Sequence, residues 1–253
     1  MEGMEKRRND IVRYVNEQGN VTFNQLKEHF PSVSDMTLRT DLKALDEQQK
    51  LVRIHGGAKS LEIVTGNDDV LKKRYIRNTE EKKIIARKAL ELVKPNQTIF
   101  IDSGSTTTML SNVLKDQPCT IFTNSISCAV ELSRLKQAHC MLAGGTINVN
   151  SLSVTGVDAV QFLEHVNFDT VFMGVTCFSK NSGFTCESYQ DAKVKRIAIQ
   201  NARKVVILMD SSKIDKNGSY QFCSMKEADI IVSDFHLPES FKEECESMGV
   251  TIL

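Results

Sequence analysis

The chain has 253 residues, with 32 basic and 32 acidic side chains, 41% hydrophobic and 6% aromatic content, four prolines and no tryptophan. This composition excludes disorder and collagen-like repeats, and it leaves enough chain for a small domain joined to a medium one. A net charge of zero excludes a protein that holds polyanions by sheer excess of positive charge, so contact with nucleic acid would need a local basic face.

The longest apolar runs, such as Val205 to Met209, fall far short of a membrane span. The amino terminus MEGMEKRRND lacks the apolar stretch of a secretory signal, which points to a cytoplasmic product. Seven cysteines form no C-x-x-C pair and are odd in number, so buried reduced thiols are expected rather than disulfides or a zinc site. No histidine spacing suggests a metal.

Residues 4 to 18 place Ile11 and Val15 four apart among charged residues, predicting an amphipathic helix ended by Gly19. Thr22 and Gln25 have the offset of a capping box for a second, short helix carrying Leu26 and Phe30 and ended by Pro31. Ser34 then caps a third helix, in which Leu38, Leu42 and Leu45 share one face. Its opposite face presents Met36, Arg39, Thr40 and Lys43. Such a face is either simply solvated or suited to base edges in a major groove, where Arg offers bidentate donors to guanine. Two short helices joined by the turn PSVS match helix-turn-helix geometry. LVRIHGGA follows as a strand running into a tight turn, a wing from which Arg53 and His55 project toward phosphate or a minor groove.

Through VSDMTLRTDLKAL at 33 to 45 and VRIHGGA at 52 to 58, the chain resembles the DeoR family of bacterial transcription regulators, more loosely over essentially its whole length. The resemblance implies a winged helix-turn-helix over residues 3–58 that binds operator DNA through Ser34, Met36, Thr37, Arg39, Thr40, Lys43, Arg53 and His55. Family members usually carry a second Arg where this chain has Thr40, so one basic contact is missing.

Residues 59–77 lack a clear period and read as a linker. Residues 71 to 88 carry eight Lys or Arg against two acids, either a solvated helix face or a phosphate-contacting one. A helix restarts near Asn78, with Asn78 and Glu81 at cap offset and Ile85, Ala89 and Leu92 as its apolar stripe. Over residues 78–253 strands alternate with helices. TIFI at 98 to 101, CTIFT at 119 to 123, HCMLA at 139 to 143, FDTVFMG, KVVILM, ADIIVSD and VTIL read as strands, with a long helix near 187 to 202. The fold class is therefore α/β, a small winged helix-turn-helix followed by a larger domain with a mainly parallel sheet.

Ligands of such sheets collect beyond the carboxyl ends of the strands. There the run Asp102, Ser103, Gly104, Ser105, Thr106, Thr107, Thr108 offers hydroxyls and backbone N–H groups at a helix start, a combination suited to phosphate or merely to a polar cap. The P-loop lysine and G-x-G-x-x-G are both absent, which favours a small phosphorylated metabolite over a nucleotide. Thr123 and Asn124 can orient sugar hydroxyls, and Asp210, Ser211 and Lys213 place an acceptor beside a cation. The family resemblance extends to a phosphosugar-sensing domain resembling ribose-phosphate isomerase, carried by DSGSTTT, TNS, the Gly144–Gly145 pair, AKVKR at 192 to 196 and DSSK at 210 to 213. It implies effector roles for the serine and threonines of the first run, for Lys195 and for residues 210 to 213.

Three readings compete. A repressor of a sugar-metabolism operon, working as a homodimer or homotetramer under a phosphosugar effector and without any cofactor, fits both halves. A phosphosugar isomerase with an appended DNA-binding domain needs placed carboxylates, and Asp102, Glu187, Asp191 and Asp210 are available. However, Met173-Gly174-Val175-Thr176-Cys177 stands where such isomerases carry an acidic segment. A pure interaction domain, with the sheet as a dimerisation platform, is the third.

Overall fold

The computed structural model describes residues 2–18, 20–48, 50–54, 56–60 and 71–253. The chain forms two compact units, Met1–Asn67 and Asp68–Leu253.

In the first unit, α1 (Glu2–Gln18), α2 (Phe23–His29) and α3 (Asp35–Glu47) enclose a core of Ile11, Val15, Leu26, Leu38, Leu42 and Leu45. The predicted caps form: Thr22 Oγ1 accepts the Gln25 N–H while Gln25 Oε1 accepts the Thr22 N–H, and Ser34 accepts the Thr37 N–H. The wing is β2 (Val52–Ile54) and β3 (Gly57–Lys59), but the sheet has a third strand that periodicity does not reveal. β1 (Asn20–Thr22), expected as part of a turn, pairs antiparallel with β3 and gives the order β1-β3-β2. A three-residue strand is too short to show alternation. The pairing depends instead on Gly57, where a Cβ would lie 2.1 Å from the Val21 carbonyl oxygen.

The second unit begins with α4 (Leu71–Ile76) and α5 (Thr79–Leu90). The predicted linker 59–77 thus overlaps β3 at Lys59 and all of α4, while residues 61–70 lie outside the described residues. Asn78 does not cap α5 with its side chain as expected. It adopts a left-handed conformation, φ +49°, and sends its amide elsewhere. Seven strands follow: β4 (Thr98–Ile101), β5 (Thr120–Thr123), β6 (His139–Leu142), β9 (Thr170–Gly174), β12 (Val205–Leu208), β14 (Ile230–Val232) and β15 (Thr251–Ile252). They form one sheet in the order β15-β14-β12-β9-β4-β5-β6, with every neighbouring pair parallel.

The inner strands β4, β5, β9, β12 and β14 read as largely apolar runs because helices cover both faces, whereas the edge strands β6 and β15 are partly exposed. Ile99, Ile101, Phe172, Val206 and Leu208 pack with Ile85 and Ala89 of α5, Leu110 of α6 (Ser105–Val113), and Cys128 and Leu132 of α7 (Ile126–Leu132). Phe100, Val171, Met173 and Ile207 face the other way, toward Ala159 and Leu163 of α8 (Val157–Glu164) and Val194 and Ala198 of α9 (Tyr189–Gln200). The hairpin of β7 (Thr146–Asn148) and β8 (Ser153–Thr155), the antiparallel sheet of β10 (Cys177–Ser179), β11 (Gly183–Cys186) and β13 (Tyr220–Cys223), and the carboxy-terminal helix α10 (Glu239–Ser247) complete the unit. All seven cysteines are free thiols, and all but Cys140 are buried.

Candidate functional site

On α3 the leucine stripe faces inward and leaves Met36, 76% exposed, with Arg39, Thr40 and Lys43 on the outer surface. Arg39 is not a loose chain: its guanidinium lies over the Phe23 ring, 4.4 Å from the centroid, a cation–π contact that anchors it. Thr40 donates its hydroxyl to the Met36 carbonyl at 2.8 Å, leaving the oxygen's lone pairs outward. Lys43 pairs weakly with Glu47 at 3.9 Å in an exposed setting. Ser34 and Thr37, expected among the DNA contacts, are 2.8 Å apart, and Ser34 is engaged as the helix cap. Arg53 is exposed on β2, and its N–H donates to Asp46 at 3.0 Å. With Arg39, Phe23, Leu42 and Ile54 it lines a cleft of about 420 Å³. Two guanidiniums on one cleft form an anion-attracting surface despite the balanced net charge of the unit. His55 lies outside the described residues.

Sequence reasoning missed Asp41, which occupies the inner side of α3 and is almost fully buried. It takes Arg7 Nε at 2.7 Å and Arg8 Nε at 2.8 Å, so both oxygens are satisfied from α1. Nothing in local patterning marks this pair, because the partners are more than 30 residues away.

In the second unit β4, β5 and β6 are laid down in one direction across the sheet and β9, β12, β14 and β15 in the other, which places the topological switch between β4 and β9. Asp102 leaves β4 at that point, fully buried. Its Oδ2 accepts the Gly174 N–H at 3.0 Å and the Lys195 ammonium, while Oδ1 is buried with no partner. Burial pushes the Asp102 carboxyl above its ordinary value, and Lys195 opposes that rise. Lys195, on the inner face of α9, also donates to the Gly174 carbonyl at 2.9 Å and lies 4.7 Å from the Phe222 ring centroid. Its ammonium is therefore paired with Asp102. Gly174 permits this packing, since a Cβ there would approach the Ser103 carbonyl to 3.0 Å.

Helix α6 starts at Ser105 after Gly104, whose φ of +144° suits glycine, and the first helical N–H to find a carbonyl is that of Thr108, on Gly104. The N–H groups of the preceding turn point out of the helix start, the arrangement that accepts anions. The hydroxyls of this run divide. Thr107 and Thr108 both donate to the Gly104 carbonyl, at 2.9 and 2.7 Å, and so build the loop. No such bond engages Ser103, Ser105 or Thr106 among the described residues.

Thr123 is likewise internal, donating to the Ile101 carbonyl at 2.7 Å and accepting the Ser125 N–H at 3.0 Å. Asn124 follows β5 beside Asp102. Its Nδ2 is directed at the Val154 carbonyl at 3.4 Å, which leaves Oδ1 buried without a partner. Gly144 and Gly145 are exposed. Gly145, at φ +136°, lets the chain pass the Thr155 carbonyl, which a Cβ would meet at 2.4 Å, so it serves the β7–β8 hairpin.

At the end of β12, Asp210 Oδ1 accepts Asn78 Nδ2 at 2.9 Å and the Ser212 N–H at 3.2 Å, and Oδ2 is a third buried oxygen without a partner. Burial pushes this carboxyl up, but Lys213, Ser212, Asn78 and Lys82 together outweigh it and hold it below its ordinary value. Ser211 is tied to Asp234 Oδ2 through its N–H at 3.0 Å and its hydroxyl at 3.2 Å. Asn78, Lys82, Gly174 and Asp234 thus belong to the network although their sequence context does not signal it. Lys82 is buried and donates to the carbonyls of Arg74 and Arg77, and burial pushes its amine down to about 8 against the pull of Asp210. Among the described residues no group of three His, Cys, Asp or Glu could hold a metal ion, and no helix is long and apolar enough to cross a membrane.

The DeoR-like helix-turn-helix domain family matches residues 7–64, and the DeoR C-terminal sensor domain family matches residues 77–235. The HTH-type transcriptional regulator GlpR of Haloferax volcanii is 32% identical over 249 residues, covering 98% of this chain and 96% of that one. The glycerol-3-phosphate regulon repressor of Escherichia coli K12 is 32% identical over 238 residues, covering 93% and 92%. Among solved structures, ribose 5-phosphate isomerase A of Methanocaldococcus jannaschii aligns with a TM-score of 0.38 at 17% identity, over 54% of this chain and 55% of that one.

Proposed function

Because the chain belongs to the DeoR family of transcription regulators, we propose that it is a repressor whose winged helix-turn-helix binds operator DNA and whose sheet end binds a phosphorylated sugar as effector. The observation that carries this reading is the division of labour beyond β4. The N–H groups starting α6 and the hydroxyls of Ser103, Ser105 and Thr106 can receive a phosphate. The buried oxygens of Asp102, Asn124 and Asp210 that have no partner can accept hydroxyl protons from a polyol. An anion seat beside donor-seeking acceptors suits a sugar phosphate better than a nucleotide base. The Escherichia coli relative is named for a regulon of one small polyol phosphate, which fits the same chemistry.

On the DNA side, Arg39 reads base edges from α3, Met36, Thr40 and Lys43 flank it, and Arg53 takes phosphate from the wing. One such helix offers few base contacts, so the working form is a homodimer or homotetramer on repeated half-sites, in the cytoplasm and with no cofactor beyond the effector. Turnover is not part of the function. An isomerase needs a carboxylate placed to carry a proton, whereas Asp191 is held by Ser153 at 2.6 Å and Glu187 by Ser219 at 2.7 Å, and Asp102 and Asp210 are each bound through one oxygen, by Lys195 and by Asn78, and are assigned through the other to ligand hydroxyls.

The test is to titrate glycerol 3-phosphate, ribose 5-phosphate, fructose 1-phosphate and fructose 6-phosphate against the full chain bound to DNA from its own upstream region. One of them should shift operator affinity by roughly 5- to 150-fold and be recovered chemically unchanged. Ser105→Glu, which seats a carboxylate where the phosphate would lie, should abolish that shift and leave operator affinity intact. No shift with any of the four, or consumption of the sugar phosphate, overturns the reading.

A further inference from the structure

The corner from α4 to the first turn of α5 is tied to the same loops that carry the candidate effector residues. Leu71 donates its N–H to the Asn150 carbonyl, between β7 and β8, at 2.7 Å. The Tyr75 side chain reaches Ser127 and Thr108, the first in the first turn of α7 and the second in the hydroxyl-rich run after β4. Asn78 Nδ2 donates both to Asp210 Oδ1 at 2.9 Å and to Ser212 Oγ at 3.0 Å, in the loop after β12. Lys82 reaches back to the carbonyls of Arg74 and Arg77 and closes the corner on itself.

Asn78 is the pivot of this arrangement. A non-glycine residue enters the left-handed region at a cost, and Asn enters it more readily than most. Here the conformation also forfeits a side-chain cap for α5, since the amide is spent on Asp210 and Ser212 instead. Asp210 is nearly fully buried, and its second oxygen has no partner, so a donor arriving at that oxygen changes the charge distribution of the same carboxylate that Asn78 grips. In sequence the corner stands immediately after residues 61–70, within which the first unit gives way to the second.

Resting on the effector-site reading above, we propose that Asn78 is a positioning residue of that site: through Asp210 and Ser212 it couples occupancy of the sheet end to the α4–α5 corner, and so to the chain that leads back to the DNA-binding unit. The coupling requires that the effector bind unequally to the arrangement with Asn78 on Asp210 and to the arrangement without it.

Asn78→Gly in the full chain isolates the side chain, because glycine accepts a φ of +49° without strain and removes only the amide. Each of the four phosphates above serves as probe. The expected result is operator affinity within about 3-fold of wild type without phosphate, a retained thermal upshift with the phosphate that acts on wild type, and a loss of the operator response to below about 2-fold. Hydrogen exchange over residues 71 to 77 should change with that phosphate in the wild type and stay unchanged in the variant. Asn78→Asp, which sets a carboxylate against Asp210, should give the same loss. A response of wild-type size in Asn78→Gly overturns the coupling, and so does loss of phosphate binding itself, which would make Asn78 a binding residue. If no phosphate moves the wild type, the effector reading falls and takes the coupling with it, whereas a responsive wild type with an equally responsive variant removes the coupling alone.

Discussion

In the amino-terminal unit the buried Asp41 has both oxygens taken by guanidiniums, at 2.7 and 2.8 Å, whereas in the carboxy-terminal unit Asp102 gives one oxygen to Lys195 and Gly174 and leaves the other without a partner. Asp210 repeats the second pattern and Asn124 has its amide equivalent. A buried acceptor with no donor costs about 1 to 3 kcal/mol, so a fold that retains three at one sheet end is keeping them for something other than stability. Asp41 carries no spare capacity. Its role is to fasten α3 to α1, so that the opposite face, with Arg39 over the Phe23 ring, is presented rigidly. One unit spends its buried carboxylate entirely inside the fold, and the other leaves buried acceptors unspent at the sheet end where the proposed effector would bind.

The sharpest way to break this comparison is Asp41→Ala. It strands two guanidiniums that are only partly exposed, and it should destabilise the amino-terminal unit by about 3 to 4 kcal/mol, with loss of operator binding, while leaving phosphate binding to the other unit untouched. Urea unfolding followed on each unit separately reads both halves of that statement, and a carboxy-terminal midpoint that moves equally would contradict it.

The next effect is one of pH. Lys82 has a folded value of about 8 against 10.5 in the unfolded chain, so above pH 8 the folded form sheds a proton that the unfolded form keeps. Stability conferred by the neutral amine is complete above 10.5 and is lost as pH falls through 8. Relative to Lys82→Met, which has no amine to titrate among Arg74, Arg77, Asp210 and Lys213, the wild-type unfolding free energy should climb by about 2 to 3 kcal/mol between pH 7 and pH 10. Parallel profiles would remove the buried-amine assignment.

The smallest of the three is Arg39→Ala, expected to weaken operator binding by about 2 kcal/mol and to relax base preference. Competition between operator and scrambled DNA measures it, and an unchanged ratio would reassign Arg39 to phosphate.

What could be read from the sequence alone was what neighbouring residues decide among themselves. The leucines of α3 recur at spacings of three and four, Thr22 and Gln25 cap reciprocally, and the apolar strands from TIFI to VTIL appear where expected, because helix periodicity, capping and strand burial act over a few residues. The position of the hydroxyl-rich run at a helix start was legible for the same reason. Which hydroxyls remain unspent was not, since Thr107 and Thr108 donate to the Gly104 carbonyl while no such bond engages Ser105 or Thr106 among the described residues. Only the tertiary structure decided that Lys195 neutralises Asp102 from 93 residues away, that Asn78 forgoes its cap for Asp210 at a separation of 132, and that Arg7 and Arg8 converge on Asp41. These partners are set by strand order and helix placement. A buried charge takes the countercharge or donor that the topology brings within about 3 Å, and local sequence holds no record of which one that will be.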